Sequence, residues 1–281
     1  MSLGILTNVA ATYAQNNLNQ TQGSLQTVLQ QLSSGSRINS GADDAAGLSV
    51  ADGLHANVAA LTQSAQNAQN GVGLLQTADG ALSQVTNLLN RATTLATEAL
   101  NGGLTTAQTT AADTEFQSIV TEIGNIGSAT NFNSSPVFSN TVTNFVVTDG
   151  TATGTTTIAA TIGALTTASV GTATGGGAGA TLSGLSLVTG ATAALAAVNS
   201  AVTDVSNQRG AIGANINQLN AAANVASTES VNLSSAESSI RSTNYGQATS
   251  DLAKFQVLSQ TGISALAQAN SVQQEILKLL Q

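Results

Sequence analysis

Residues 54–99 read LHANVAALTQSAQNAQNGVGLLQTADGALSQVTNLLNRATTLATEA, and a column of apolar residues runs through them at Leu54, Leu61, Ala68, Leu75, Leu82, Leu89 and Ala96. Seven residues are close to two turns of an α-helix, so the column stays on one side of a helix throughout. A companion column holds Val58, Ala65 and Val72; Asp79 interrupts it, and Val85, Ala92 and Ala99 resume it one residue earlier in the repeat. This is the stripe of a long helix packed along a seam. Such a helix would extend about 70 Å at about 1.5 Å per residue. Gly71, Gly73 and Gly80 each weaken it by up to about 1 kcal/mol relative to Ala, and permit a neighbouring helix to come close.

The pattern recurs toward the C-terminus. Val198, Val205, Ile212, Leu219, Ala226, Leu233 and Ile240 share one register, and Leu195, Val202, Ile216 and Ala223 form a second, with Arg209 as its exception. This helix would also be about 70 Å long, so the two can pair over their whole length. Phe116, Ile119, Ile123 and Ile126 mark a shorter helix expected to stop at Gly127. Residues 1–133 and 191–281 therefore read as helical. The fold class expected is mainly α: an elongated antiparallel helical bundle or coiled coil built from both chain ends, with a small central β-hairpin region.

The ends carry stripes of their own. Leu18, Leu25, Leu29 and Leu32 line the first, and Leu252, Phe255, Ile263, Leu266, Val272, Ile276 and Leu279 the second; after Arg241 the only charges are Asp251, Lys254, Glu275 and Lys278. Two such helices have more apolar surface than one mutual contact hides. Both ends are expected to be disordered or sticky in the monomer and ordered in an assembly, which makes these eleven residues the candidate polymerisation surface.

Between the helical parts, residues 134–190 are rich in Thr, Gly and Ala. The β-branched runs NFVVT (144–148) and TTTIA (155–159) flank Asp149-Gly150 and predict a hairpin. The stretch 172–184, which contains TGGGAGATLSG, reads as a flexible loop.

Composition restricts the chemistry. Of 281 residues only 7% are charged, against about 25% in an ordinary globular protein. There is no Cys, one His (His55) and one Pro (Pro136), which removes thiol nucleophiles, disulfides and zinc-thiolate sites. Six basic against 14 acidic residues, a formal net charge of -8, cannot neutralise many phosphates, so nucleic acid is not expected as a partner. Asp43-Asp44 has no His at ligand spacing and reads as helix N-terminal charge; Asp52 lies too far along a helix to share an ion. The glycine run 175–179 lacks the Lys-Ser/Thr of a phosphate loop. No acid–base or nucleophile set remains, and neither enzyme activity nor a metal or cofactor is expected.

No run of about 18 or more apolar residues exists, so no membrane insertion is expected. Residues 1–17 have no basic n-region and no continuous apolar h-region, unlike a cleaved secretory signal. A surface of Ser, Thr, Asn and Gln in place of charge suits packing against copies of the same chain. The flanks of the seams are mostly neutral, which favours packing geometry over the charge pairing of a coiled-coil scaffold.

Residues 32–58, LSSGSRINSGADDAAGLSVADGLHANV, closely resemble the N-terminal segment of bacterial flagellins, with Gly41 where that pattern has Ala. The resemblance continues through Leu61-Thr62-Gln63, residues 67–71 and residues 76–82. Thr130-Asn131-Phe132-Asn133 is similar to the family's TQFNG, with Asn131 for its Gln and Ser134 for its Gly. At the other end, residues 266–270 (LAQAN), Gln274 and residues 277–280 look like the family's terminus, with Gln273 where Pro is usual. The match covers roughly the first 133 and last 90 residues.

The resemblance implies a minimal flagellin, the structural subunit that self-assembles into the helical filament used for swimming. It implies that residues 1–44 and 241–281 are the two halves of an inner helical domain. Residues 45–133 and 191–240 would be the halves of a rod-like outer domain, and 134–190 a short variable region. It further implies type III export without a cleaved signal, an extracellular place in the flagellum, an export chaperone at the C-terminal helix, and cap and junction proteins as neighbours. Arg91, Leu95 and Glu115 match the motif that Toll-like receptor 5 reads on recognised flagellins, although Thr93 and Thr94 replace neighbouring charges of that motif. The alternatives are a hook–filament junction protein, or another coiled-coil surface or adhesin protein.

Overall fold

The computed structural model describes residues 8–149, 151, 155–172 and 178–279. Its elements in order are helices α1 (Val9–Ser34), α2 (Ala45–Ala99) and α3 (Thr106–Ala129), strands β1 (Asn131–Phe132), β2 (Ser135–Pro136), β3 (Val142–Thr148), β4 (Thr155–Thr161), β5 (Leu165–Thr166), β6 (Ser169–Thr172) and β7 (Ala178–Ala180), and helices α4 (Leu187–Arg241) and α5 (Tyr245–Leu279). The chain is mainly α with a small central strand region. Its contacts divide it into two compact units, Met1–Ala56 with Asn232–Gln281, and Asn57–Val231.

The second unit contains the main core. Leu61, Ala68, Leu75, Leu82, Leu89 and Ala96 of α2 are all buried, as are Val198, Val205, Ile212, Leu219 and Ala226 of α4. Both seam columns thus lie where the heptad pattern puts them. The two exceptions to the pattern meet: Arg209 Nε donates to Asp79 Oδ1 at 2.7 Å. The pair is half-exposed at the edge of the seam, and Asp79 raises the Arg209 pKa mainly through that hydrogen bond.

Helix α3 adds Phe116, Ile119, Val120 and Ile123 to the same core. It starts on a capping box, in which Thr105 N donates to Gln108 Oε1 (2.8 Å) and Gln108 N to Thr105 Oγ1 (3.4 Å). It does not stop at Gly127 as the sequence suggested but runs to Ala129. Gly127 is buried inside it, because a Cβ there would collide with the Leu165 carbonyl. That glycine serves close packing of β5 on α3.

The expected hairpin is present as β3 and β4, antiparallel from Val142 opposite Thr161 to Thr148 opposite Thr155; Gly150 of its turn lies outside the described residues. Ser64 of α2 anchors it, donating to Thr148 O at 2.7 Å and accepting from Thr148 N at 2.9 Å. Two further small sheets, β1-β2 and β5-β6-β7, were not anticipated. The loop expected over 172–184 is corrected in part, beginning with Thr172, which ends strand β6. Ala178–Ala180 is strand β7, paired with β6, and the buried Asp204 of α4 accepts from Ala180 N at 2.9 Å. Residues 173–177 lie outside the described residues. Ile162, Leu165, Val170 and Leu182 carry the strand region into the helical core.

In the first unit α1 packs on α5. The two are antiparallel: Asn8 Nδ2, at the start of α1, donates to Ala269 O at 2.9 Å, whereas Thr243 Oγ1, before α5, donates to Gln31 O near the end of α1. Both described ends are helical. Gly35 closes α1 at φ 69, with its N–H on Gln31 O. Glycine is needed there for the left-handed backbone and because a Cβ would come within 2.8 Å of the Tyr245 hydroxyl.

Candidate functional site

The terminal stripes meet incompletely. Leu18, Leu25 and Leu32 of α1 and Leu252, Phe255 and Leu266 of α5 are half-buried against one another. Leu18 reaches Gly262, where a Cβ would sit 3.3 Å from its Cδ1. Leu29 remains 48% exposed, Ile263 49% and Val272 43%. The side chains of Ile276 and Leu279 lie outside the described residues.

The helix pair exposes more than the sequence stripe contained. Val9, Tyr13, Tyr245, Val257 and Leu258 are all exposed, and the sequence reading missed them because they fall outside the heptad columns. The available signal was composition: α5 carries apolar residues on more than one side of the helix, with only Asp251, Lys254 and Glu275 among its fully described charged side chains. Lys254 Nζ lies 5.7 Å from the Phe255 ring centroid, over its face. Among the described side chains of the α1–α5 pair only Val28 and Ala248 are buried hydrophobics. A surface of this kind is the candidate interaction surface of the chain.

The segment joining α1 to α2 is tied to the one joining α4 to α5. Ser36 bridges Ser242, Arg37 N donates to Arg241 O at 2.7 Å, Thr243 N donates to Gly35 O at 3.0 Å, and Arg37 Nη2 donates to Ile240 O at 2.8 Å. Ile38 is buried beneath them. Asp43 accepts from Asn39 N (3.0 Å) and Ser40 N (2.8 Å), and these bonds hold its carboxyl below the usual carboxylate range. Asp44 accepts from Gly47 N at 2.8 Å and caps α2. The acidic pair is thus spent on backbone geometry. His55 is exposed, with Nδ1 3.3 Å from Glu237, and Arg241 lies between Asp52 (3.5 Å) and Glu237 (3.4 Å).

Of the three receptor-motif residues, two come together on the surface. Arg91 Nε donates to Glu115 Oε1 at 2.6 Å and Nη2 to Oε2 at 2.9 Å. The Arg91 hydrogen bond lowers the Glu115 pKa, and Glu115 raises that of Arg91. Leu95 does not join them: it is 2% exposed and belongs to the core with Leu89 and Phe116. A partner reading the folded surface meets the ion pair and not the leucine.

The comparisons with known proteins agree with this arrangement at both ends. Residues 5–143 match the family model described as the bacterial flagellin N-terminal helical region, and residues 195–280 the one described as the bacterial flagellin C-terminal helical region. A flagellin of Listeria innocua serovar 6a is 30% identical over 98% of this chain and 98% of its own. The flagellar filament 30.7 kDa core protein of Treponema maltophilum is 32% identical over 97% of this chain and 98% of its own. Among solved structures, the crystal structure of Bacillus cereus flagellin is 27% identical, covering 57% of this chain and 88% of that one with a TM-score of 0.45.

Proposed function

Because the chain belongs to the bacterial flagellin family and is a structural subunit of the flagellar filament, we propose that it polymerises through the apolar surface left open on the α1–α5 pair. The observation that carries this reading is the exposure of Tyr13, Leu29, Val257, Leu258 and Ile263 together on the two terminal helices. Burying such surface against further copies contributes on the order of 25 cal/mol per Å². In a helical polymer each patch meets a different patch on the next copy, so the contacts do not close into a ring. Residues 1–44 and 241–281 form the inner helical domain in this reading. Residues 45–133 and 191–240 form the outer domain, with 134–190 as its variable part; the pairing of α1 with α5 and the core shared by α2, α3 and α4 support that division.

The remaining parts of the proposal follow from family membership. The subunit is exported without a cleaved signal to an extracellular filament, an export chaperone holds the C-terminal helix beforehand, and the filament ends on junction and cap proteins. It acts structurally and not as an enzyme. Any contact with Toll-like receptor 5 runs through Arg91 and Glu115, with Leu95 acting from beneath through packing. The test of polymerisation is deletion of residues 266–281, followed by seeding and negative-stain microscopy. Long tubes from the full chain and none from the truncated one are expected; tubes from both would reject the reading.

A further inference from the structure

The sequence contains two Asn-Gly dipeptides, Asn70-Gly71 and Asn101-Gly102, and the fold places them in opposite circumstances. Gly71 is inside α2 and buried, where a Cβ would press on the Phe145 ring at 2.8 Å and on Leu219 at 3.0 Å. Its glycine is required by packing, and the helix ladder holds its N–H. Asn101 and Gly102 lie in the exposed turn between α2 and α3. Asn101 N donates to Glu98 O (2.9 Å) and Leu104 N to Asn101 O (3.3 Å), while Gly103 N donates to the side-chain Oδ1 at 3.4 Å. Among the described residues no acceptor takes the Gly102 N–H. Gly102 has open space where a Cβ would stand and no left-handed φ, so the fold does not need glycine at that position.

We propose that Asn101 is a site of spontaneous deamidation. The turn supplies what the reaction uses: an unengaged backbone nitrogen next in sequence, no Cβ to hinder its approach, and a carboxamide whose oxygen accepts a hydrogen bond from Gly103. The Gly102 nitrogen gives up its proton and attacks Asn101 Cγ; the new N–Cγ bond forms, the Cγ–Nδ2 bond breaks, and Nδ2 leaves as ammonia. Water then opens the cyclic imide. Attack at Cγ leaves an ordinary aspartyl residue, and attack at the main-chain carbonyl leaves an isoaspartyl link with an extra methylene in the backbone. No redox partner is involved, and water is the only co-reactant. Either product adds one negative charge to the chain's formal -8, close to Glu98 and to the C-terminal end of α2, where the helix dipole opposes it.

The test is incubation of the full folded chain in mildly alkaline buffer, with peptide mass spectrometry at both Asn-Gly sites and isoelectric focusing of the whole protein. Asn101 is expected to convert about tenfold faster than Asn70 or more, because Asn70 reacts only from locally opened helix. Gly102→Ala, which the open space accommodates, is expected to slow conversion by about tenfold through restricting the backbone. In denaturant the two sites should convert at similar rates. Equal rates in the folded chain, an unaffected Gly102→Ala variant, or a difference that persists in denaturant would each overturn the proposal.

Discussion

The seam of α2 with α4 and the pair of α1 with α5 are written in the same apolar alphabet, yet they end in different states. In the seam Leu75, Leu82, Leu89 and Leu219 are completely buried; in the pair Leu25 and Leu32 are half-covered and Leu29 is about half in solvent. The difference is the number of layers. The seam is closed by α3 and by Ile162, Leu165, Val170 and Leu182 from the strand region, whereas among the described residues α1 and α5 have chiefly one another. Heptad spacing specifies which side of a helix is apolar. Whether that side disappears from water depends on what else the chain brings to it, and at the two ends it brings too little.

The largest expected effect separates the two regions by stability. Leu82→Ala empties a fully buried site and should lower unfolding free energy by about 2–5 kcal/mol, read from urea denaturation followed by circular dichroism. Leu29→Ala in the pair should change monomer stability by no more than about 0.5 kcal/mol. Equal losses would break the contrast between them.

Assembly should reverse that ranking. Replacing exposed Leu258 and Ile263 by Ala together is expected to raise the monomer concentration needed for elongation by about tenfold or more, given about 1.5–3 kcal/mol for each large apolar side chain buried. Sedimentation after seeding measures the remaining monomer. An unchanged critical concentration would show that the open face of the pair is not what the next subunit covers.

A third prediction concerns the ion pair at the edge of the seam, Asp79 with Arg209. Asp79→Ala should cost up to about 1 kcal/mol, because Asp79 and Arg209 are each more than a third exposed and the pair is well solvated. A double-mutant cycle with Arg209→Met isolates the interaction; a coupling well above that size would mean the pair is effectively buried.

Asp79 and Arg209 also show how far the sequence could be read. Each was visible as a break in an otherwise regular column, since periodicity displays its own exceptions. That they break for one another was not visible, because the register between two distant helices is set by three-dimensional packing. Gly127 shows the complementary failure. A glycine after an apolar run looks like a helix end, and here it is a point of close approach to the Leu165 carbonyl, a requirement imposed by a strand distant in sequence. The small sheets β1-β2 and β5-β6-β7 were hidden because strands of two to four residues have too few alternations to register. At the ends, Leu18 through Leu279 were legible as a stripe, but Tyr13, Val257 and Leu258 lie off it and emerge only once α1 and α5 are seen to pair. Leu95 failed in the opposite sense: a motif match gives identity at a position, and burial decides whether a partner can reach it.

The smallest expected effect belongs to the first unit and has the opposite character to a core leucine. Asp43 is fully exposed, and its pKa is lowered first by the Asn39 N–H and then by the backbone and side-chain hydrogen bonds of Ser40. A carboxyl whose folded pKa lies below its unfolded value binds protons less readily when folded. Its contribution is therefore complete above the ordinary carboxylate range and is lost as pH falls through the lowered folded value. Acidification should release Asn39 and Ser40 before it disturbs the seam, where burial of apolar side chains does not titrate. Proton exchange at the two amides, followed by NMR as pH is lowered, should show protection disappearing below the usual carboxylate range in the parent chain. In Asp43→Ala that protection should be absent at every pH, with the amides of Leu82 and Ile212 unchanged. Loss of protection at Asn39 and at Leu82 in the same pH step would mean that the α1–α2 connection and the core open together, and that the contrast between the two regions is one of degree only.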